Sequence, residues 1–198
     1  TLQFIKYNGI DAPFGYGEVL KTGFVDTSLL LEHYRRYLLS RSLLFEQEFK
    51  YDDIVFLEEG IAYNGIKAKH IIFAEGFGMH QNPYFNFLPL DGTKGELFII
   101  KAPNLTIDVI VNTSVFILPL GDGLFKVGAT YNWKDKTDLP TSDGKEELIA
   151  RIKEIISCEF EVIEHFAGVR PTVRDRRPLV GTHDAYSQLH ILNGLGTR

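Results

Sequence analysis

An arginine locked in front of a proline is the first place in this chain where residue types and spacing could do chemistry. In Gly168-Val169-Arg170-Pro171 the proline fixes its own φ and holds Arg170 extended, so the guanidinium projects from a stiff backbone. A planar fork of donors held this way matches a carboxylate at two points, which the single ammonium of a lysine cannot do. The competing reading is a salt-bridged surface arginine, the ordinary state of most arginines. Arg174, Arg176 and Arg177 follow at once, interrupted by Asp175, and read as a solvated turn or a small-anion site rather than a phosphate track.

Other chemistries find little support. His33, His70, His80, His165, His183 and His190 show no i,i+4 pair and no neighbouring cysteine, so no metal site is expected. There is no G-x-S-x-G elbow and no Walker-type phosphate loop. Gly76-Phe77-Gly78 and Gly194-Leu195-Gly196 each begin like a dinucleotide fingerprint, and neither completes it. Paired carboxylates such as Glu58-Glu59 and Glu146-Glu147 read as solvated faces, and no catalytic acid or base is assigned. A net charge of -5 argues against a nucleic-acid partner, which needs a basic face. One cysteine, Cys158, cannot form an intrachain disulfide, which makes the cytoplasm the default compartment. No apolar run is long enough for a membrane span. The chain begins at Thr1, its one methionine is Met79, and it stops inside the turn Asn193 to Arg198, so its 198 residues read as a fragment.

The elements that must position Arg170 follow from hydrophobic periodicity. Asp26 or Thr27 can cap a helix whose Leu30, Leu31, Tyr34 and Leu38 share one face, a stripe expected to pack on a sheet. Thr1 to Asn8, Glu18 to Gly23 and Leu43 to Lys50 read as strands. Ile54 to Leu57 and Gly65 to Ala68 read as a small meander turning at Asn64-Gly65. The continuous apolar run His70 to Ala74 looks like a strand buried on both faces, as in a parallel sheet. From Gly95 the pattern is antiparallel: Glu96 to Lys101, Ile107 to Val111, Val115 to Leu118 and Leu124 to Ala129, with a hairpin turn at Gly121-Asp122-Gly123. Asp143 and Glu146 form a capping box, and Leu148, Ile149, Ile152, Ile155 and Ile156 make a core-facing helical stripe. Phe160 to Val169, ending at what reads as a buried Gly168, and Leu189 to Leu192 complete the strands. The fold class is α+β, a mostly antiparallel sheet with helices on one side.

Five short motifs in this order and spacing add a family expectation: Lys94-Gly95-Glu96, Val127-Gly128-Ala129-Thr130, Ala167-Gly168-Val169-Arg170-Pro171 with Asp175, Pro178-Leu179-Val180-Gly181, and Asn193-Gly194-Leu195-Gly196. Together they resemble the FAD-dependent oxidoreductases of the D-amino-acid oxidase and glycine oxidase superfamily, over roughly residues 15 to 198. The resemblance implies a substrate-binding lobe at about 9–70 and 82–167, and remnants of an FAD-binding lobe at about 71–81 and 168–198. It implies that Arg170 pairs with a substrate carboxylate, with Phe116 and Tyr131 beside it. It also implies that Gly76, Asn193, Gly194, Leu195, Gly196 and Thr197 border the flavin, where glycine lets backbone approach a ring closely.

Two departures qualify it. The family's G-x-G-x-x-G strand and helix, which cradle the FAD pyrophosphate, are missing, which argues against flavin binding and activity by this stretch alone. At Phe116 several amine-oxidising relatives carry a tyrosine whose hydroxyl reaches the substrate, so the substrate expected here can differ. The implied activity is oxidation of a small amino acid or related acid, with hydride passing to FAD. The partners expected are a small carboxylate substrate and no nucleic acid, with a homo-oligomer or a dehydrogenase subunit left open. Uncovered apolar surface near Ile71 to Phe73 points the same way. The rival readings are a non-catalytic α+β binding module and a flavoprotein subunit of a larger dehydrogenase.

Overall fold

The computed structural model describes residues 7–196 and the backbone of residues 2 and 3. In chain order its elements are β1 (Leu2–Gln3), β2 (Tyr16–Gly17), α1 (Thr27–Ser40), β3 (Val55–Phe56), β4 (Ile61–Tyr63), β5 (Ile66–Ala68), β6 (Ile71–Phe73), β7 (Thr93–Lys101), β8 (Val111–Asn112), β9 (Phe116–Gly121), β10 (Leu124–Gly128), α2 (Ser142–Lys153), β11 (Glu161–Arg170), β12 (Leu179–Thr182) and β13 (Leu189–Asn193). Short 3₁₀ turns lie at Tyr51–Asp53 and Gly76–Gln81. This is an α+β fold.

Period-two alternation builds the main sheet, whose order is β11-β7-β10-β9-β8 and whose pairs are all antiparallel. Register places Phe98 opposite Val127 and His165, and Ile100 opposite Phe125 and Val162. That face therefore carries Phe98, Ile100, Phe125, Val127 and Ile117, all buried, and α2 covers it with Leu148 and Ile152. The opposite face carries Gly95, Leu97, Gly128, Phe116, Gly168 and Arg170, because each sits one residue out of phase with the core positions. The hairpin between β9 and β10 turns at Gly121, Asp122 and Gly123, all with positive φ.

A second sheet, β12-β13-β6, pairs β13 with β6 in parallel and β12 with β13 antiparallel. Its core is Phe73, Met79, Phe85, Leu90, Val173, Leu189 and Ile191, joined by Ile54, Ile61 and Tyr63 of the small β3-β4-β5 meander. Asn64 and Gly65 turn that meander with φ of 44° and 82°, the two left-handed positions an Asn-Gly hairpin supplies.

Several expectations are corrected. No residue of α1 is buried, and Leu30, Leu31 and Tyr34 are 56 to 66% exposed. The stripe forms the helix, capped by Asp26 through Leu29 N–H (3.0 Å), but no described element covers it. Residues 43–50 form no strand: Arg35 holds Glu46 at two points (2.7 Å each) and Phe49 stacks on Tyr63, so side chains, not a ladder, fix this stretch. Residues 18–23 are likewise irregular, and of 107–112 only Val111 and Asn112 pair. Strand β6 is parallel as expected but buried on one face only, with Phe73 enclosed and Ile72 64% exposed. The cap of α2 is Thr141, whose hydroxyl accepts Gly144 N–H at 3.1 Å; Asp143 lies inside the first turn. Gly168 is exposed, with open space where a Cβ would sit.

Candidate functional site

Arg170 ends β11 on the open face of the main sheet, opposite Thr93 at the start of β7. Its backbone is held from several sides. Thr93 and Thr172 share a buried hydroxyl hydrogen bond of 2.8 Å, Thr172 O accepts Asp91 N–H at 2.9 Å, and Pro171 O accepts Gly196 N–H at 2.9 Å. The guanidinium lies flat against Gly95, where an added Cβ would come within 2.2 to 2.4 Å of Nη2, Nη1 and Cζ. The Tyr131 ring lies 4.8 Å from Cζ, within cation–π range. Nη1 is buried and has no hydrogen-bond partner, and no carboxylate pairs with Arg170 among the described residues. A buried donor left without a partner is costly, and an anion placed there would offset that cost. Among the described residues the salt-bridge reading of Arg170 finds no partner.

Phe116 is half-buried on the same face, its ring 3.2 Å from where a Cβ on Gly128 would be. Tyr131 is 68% exposed. The sequence-predicted substrate residues thus share one face, and Arg170 and Tyr131 touch. Arg174 extends outward, 88% exposed, with Nε 3.3 Å from Asp91, in keeping with a solvated turn.

The residues expected at the flavin edge also come together. Asn193 Nδ2 donates to Gly76 O at 2.8 Å, and Asn193 Oδ1 accepts Gly194 N–H at 2.8 Å. A Cβ on Gly196 would meet the backbone of Pro171 at 2.8 Å, so that turn packs directly beside Arg170 and only glycine fits. Leu195 is exposed, and Thr197 lies outside the described residues. The turns at Gly76 and Gly194–Gly196 are therefore joined through Asn193, and Gly76 and Gly196 both lie beside Pro171.

Glu75 braces the first turn. It accepts from the Tyr51 hydroxyl (2.5 Å) and Asn82 Nδ2 (2.8 Å), and burial together with Glu75 pushes the Tyr51 phenol up, so it stays a neutral donor. Sequence reasoning missed Tyr51, Glu75 and Asn82.

It also missed a buried polar network under the open face. Lys94 is fully buried and Glu96 is 3% exposed. Lys94 Nζ donates to Asp135 Oδ2 and Leu139 O (2.5 Å each) and lies 3.7 Å from Glu96 Oε1. Glu96 accepts from Thr141 N–H (2.9 Å) and hydroxyl (2.7 Å), and His165 Nε2 lies 2.8 Å away, off hydrogen-bond alignment. Burial opposes ionisation of Glu96, yet the Thr141 bonds, Lys94 and His165 together hold its carboxyl below the usual range. A signal existed: period two puts Lys94 and Glu96 on the core face with Phe98 and Ile100.

The Lys94 hydrogen bond, aided by Thr137, holds the Asp135 carboxyl down at about 2. Lys136 and Arg174 likewise depress Asp91. A depressed folded-state value contributes stability that is present above the unfolded value and lost as pH falls through the folded one. The wild type should therefore exceed Asp135→Asn in thermal midpoint at neutral pH, with the gap closing between about pH 4 and pH 2. A gap that closes between neutrality and about pH 6 contradicts this assignment.

A cleft of about 510 Å³ lies elsewhere, between residues 16–24 and β8–β9, lined by Tyr16, Phe24, Val109 and Leu118 among others. It contains no unpartnered cation and none of the residues around Arg170, so the Arg170 cluster is the stronger candidate. Among the described residues no cluster of His, Cys, Asp and Glu is arranged to hold a metal, and no helix is long and apolar enough to cross a membrane.

Comparison with known proteins places the chain in a family. The family described as FAD dependent oxidoreductase matches residues 10–198. Glycine oxidase of Bacillus subtilis is 22% identical, the match covering 92% of this chain and 55% of the relative. The Legionella pneumophila protein MnmC, a tRNA 5-methylaminomethyl-2-thiouridine biosynthesis bifunctional protein, is 24% identical over 90% of this chain and 27% of its own length. Among solved structures, iminodiacetate oxidase from Chelativorans sp. BNC1 superposes with a TM-score of 0.73 at 24% identity, covering 87% of this chain and 50% of that one. Glycine oxidase from Geobacillus kaustophilus gives 0.59 at 22% identity, over 73% and 42%. At these identities the structural likeness establishes the fold, and the chain spans about half the length of the glycine oxidase it matches.

Proposed function

The chain belongs to the FAD dependent oxidoreductase family, and from that membership we propose that it forms the substrate-binding part of an enzyme oxidising a small amino acid or related carboxylic acid. In this reading Arg170 holds the substrate carboxylate. The observation that carries it is the buried, unpartnered Nη1 of a guanidinium laid against Gly95 and Tyr131. Two parallel N–H···O bonds fix the plane of the carboxylate and, through it, the direction of the α-carbon. Phe116 and Leu97 offer apolar surface on the same face, and Tyr131 flanks the guanidinium. Phe116 has no hydroxyl, so orientation falls chiefly on Arg170.

Gly76, Asn193, Gly194, Leu195 and Gly196 would border the flavin, with Thr197 assigned by the sequence alone. FAD, when bound, supplies the two-electron acceptor for a hydride leaving the α-carbon. The protein's contribution is to hold the donor still. Residues 71–81 and 168–198 are assigned to the FAD-binding lobe, an assignment supported by the parallel pairing of β6 with β13, while the same core also takes Ile54, Ile61, Tyr63, Phe85 and Leu90 from the segments on either side of 71–81.

Arg170→Leu in the whole flavin-loaded enzyme, of which this stretch forms the substrate-binding part, should weaken turnover of an acidic substrate through loss of charge-assisted bonds worth about 1.5 to 3 kcal/mol. That corresponds to about a tenfold to hundredfold fall in kcat/KM, with flavin content and thermal stability little changed. Arg170→Lys should recover part of it, and Arg177→Leu almost none. Gly95→Ala is an independent probe: its Cβ collides with the movable end of Arg170, so the fold should survive while kcat/KM falls comparably. If Arg170→Leu leaves turnover intact and instead unfolds the protein, the arginine is structural and the reading is wrong.

A further inference from the structure

The tripeptide Lys94-Gly95-Glu96 does more than provide space for Arg170. On strand β7 its outer members point to the core face and Gly95 to the open face, where the guanidinium rests. The segment 129–141 leaves β10 and crosses back over the start of β7. Thr130 is bonded to Glu96 in both directions: Thr130 N–H donates to Glu96 O (3.1 Å) and Thr130 Oγ1 accepts Glu96 N–H (2.9 Å). Asn132 and Lys94 exchange two backbone bonds of 2.9 Å. Tyr131, between them, is thus fixed by its neighbours and directed to the side of Arg170.

The far part of the segment is pinned by side chains. Lys94 Nζ, emerging on the core side, takes Asp135 Oδ2, Thr137 Oγ1 and Leu139 O. Lys136 Nζ reaches Gly92 O at 2.7 Å and Asp91 Oδ1 at 3.2 Å. Glu96 holds Thr141 at the segment's end. Asn132 Oδ1 accepts Lys134 and Asp135 N–H, and Asp135 Oδ1 accepts Thr137 N–H, which curls the stretch over the Lys94 ammonium. A fully buried lysine spending its donors on one surface segment is not needed for the apolar core, which lies at Phe98 and Ile100 farther along the strand.

The geometry points to Lys94 and Asp135 as positioning residues. They clamp residues 130–141 as a strap that sets Tyr131 against the guanidinium and so fixes the slot in which Arg170 receives a carboxylate. This inference rests on the carboxylate reading of Arg170, and the experiment separates the two.

Acetate serves as the probe, titrated against the whole flavin-loaded enzyme by its perturbation of the flavin absorption band, with hydrogen exchange of the peptide covering residues 130–141 followed by mass spectrometry. Asp135→Ala should speed exchange in that peptide by at least about tenfold while leaving α2 unchanged, since only local opening is made easier. Acetate affinity should fall about fivefold to tenfold, the scale of one cation–π contact at a half-exposed site. Asp135→Glu should restore both, which a general loss of stability would not. Lys94→Met should reproduce the pattern, and if it does not fold, the exposed-side variant Asp135→Ala decides alone. Exchange unchanged in Asp135→Ala overturns the clamp. Faster exchange with unchanged acetate affinity, while Arg170→Leu still weakens acetate, overturns the strap's role and leaves the carboxylate reading standing. Acetate binding indifferent to Arg170→Leu as well overturns both.

Discussion

Ile152→Ala is expected to lower unfolding free energy by about 2 to 5 kcal/mol, measured by urea denaturation with the slope unchanged. Ile152 is fully buried on α2, in the cluster with Leu148, Phe98, Ile100, Val127 and Ile117. Truncation removes three carbons' worth of transfer energy and leaves a cavity beneath a sheet that cannot close over it, because the strands are held by their own ladders on both sides of β7. Ile155, 6% exposed at the end of the same stripe, should cost less, since neighbouring side chains there border solvent. A change near zero for Ile152 would mean that α2 is a peripheral appendage. The main sheet would then have to be covered otherwise, and the open face could not be identified by exclusion.

That the α2 stripe was legible while the α1 stripe misled has one physical reason. Periodicity reports that a helix has an apolar face; it does not report what the face meets. In α2 the stripe meets β7, β9 and β10, whose alternation is equally clean. In α1 Leu30, Leu31 and Tyr34 stay exposed among the described residues. Strands followed the same rule: β7, β10 and β11 were readable from alternation, whereas residues 43–50 alternate by accident and are fixed by the Arg35–Glu46 pair and the Phe49–Tyr63 stack. At the site, Arg170 and its rigid backbone were legible because proline acts locally. Of its neighbours, Tyr131 was placed beside it only through resemblance, and Gly95 was not placed there at all. Nothing local says that Gly95 underlies the guanidinium or that Tyr131 flanks it, since both facts depend on register between β11 and β7 and on a return segment 130–141 with no periodicity. The turns at Gly76 and Gly194 were assigned to one site only through resemblance. The Asn193 side chain joining them is a contact across 117 positions in sequence.

Glu96→Ala should be the most damaging single substitution, at about 3 to 5 kcal/mol, the usual penalty for breaking a buried ionic contact by removing one partner. Three consequences follow from the same deletion. Thr141 loses the acceptor for both its N–H and its hydroxyl, so the cap of α2 is left to a hydroxyl with nothing to orient it. Lys94, fully buried, keeps Asp135 but loses its nearer-to-core carboxylate at 3.7 Å. A void opens against Gly144, where the Glu96 carboxyl now sits so close that a Cβ would come within 2.4 Å of Cδ. Glu96→Gln separates these effects. The amide oxygen can still accept from Thr141, and the shape is kept, so the cap and the packing survive while the charge facing Lys94 is lost. Its cost should be well under that of Ala, and the difference between the two variants measures the cap and void against the ion pair. Thr141→Val, which removes the capping hydroxyl and leaves the carboxylate, should cost about 1 kcal/mol. The Glu96 carboxyl is held below the usual carboxylate range, so its contribution is complete at neutral pH and fades only on acidification through its folded-state value. Equal stabilities for Glu96→Ala and wild type near neutrality, by urea denaturation, would show that the network is neutral in free energy. The K-G-E tripeptide would then be left with its glycine alone as a structural requirement.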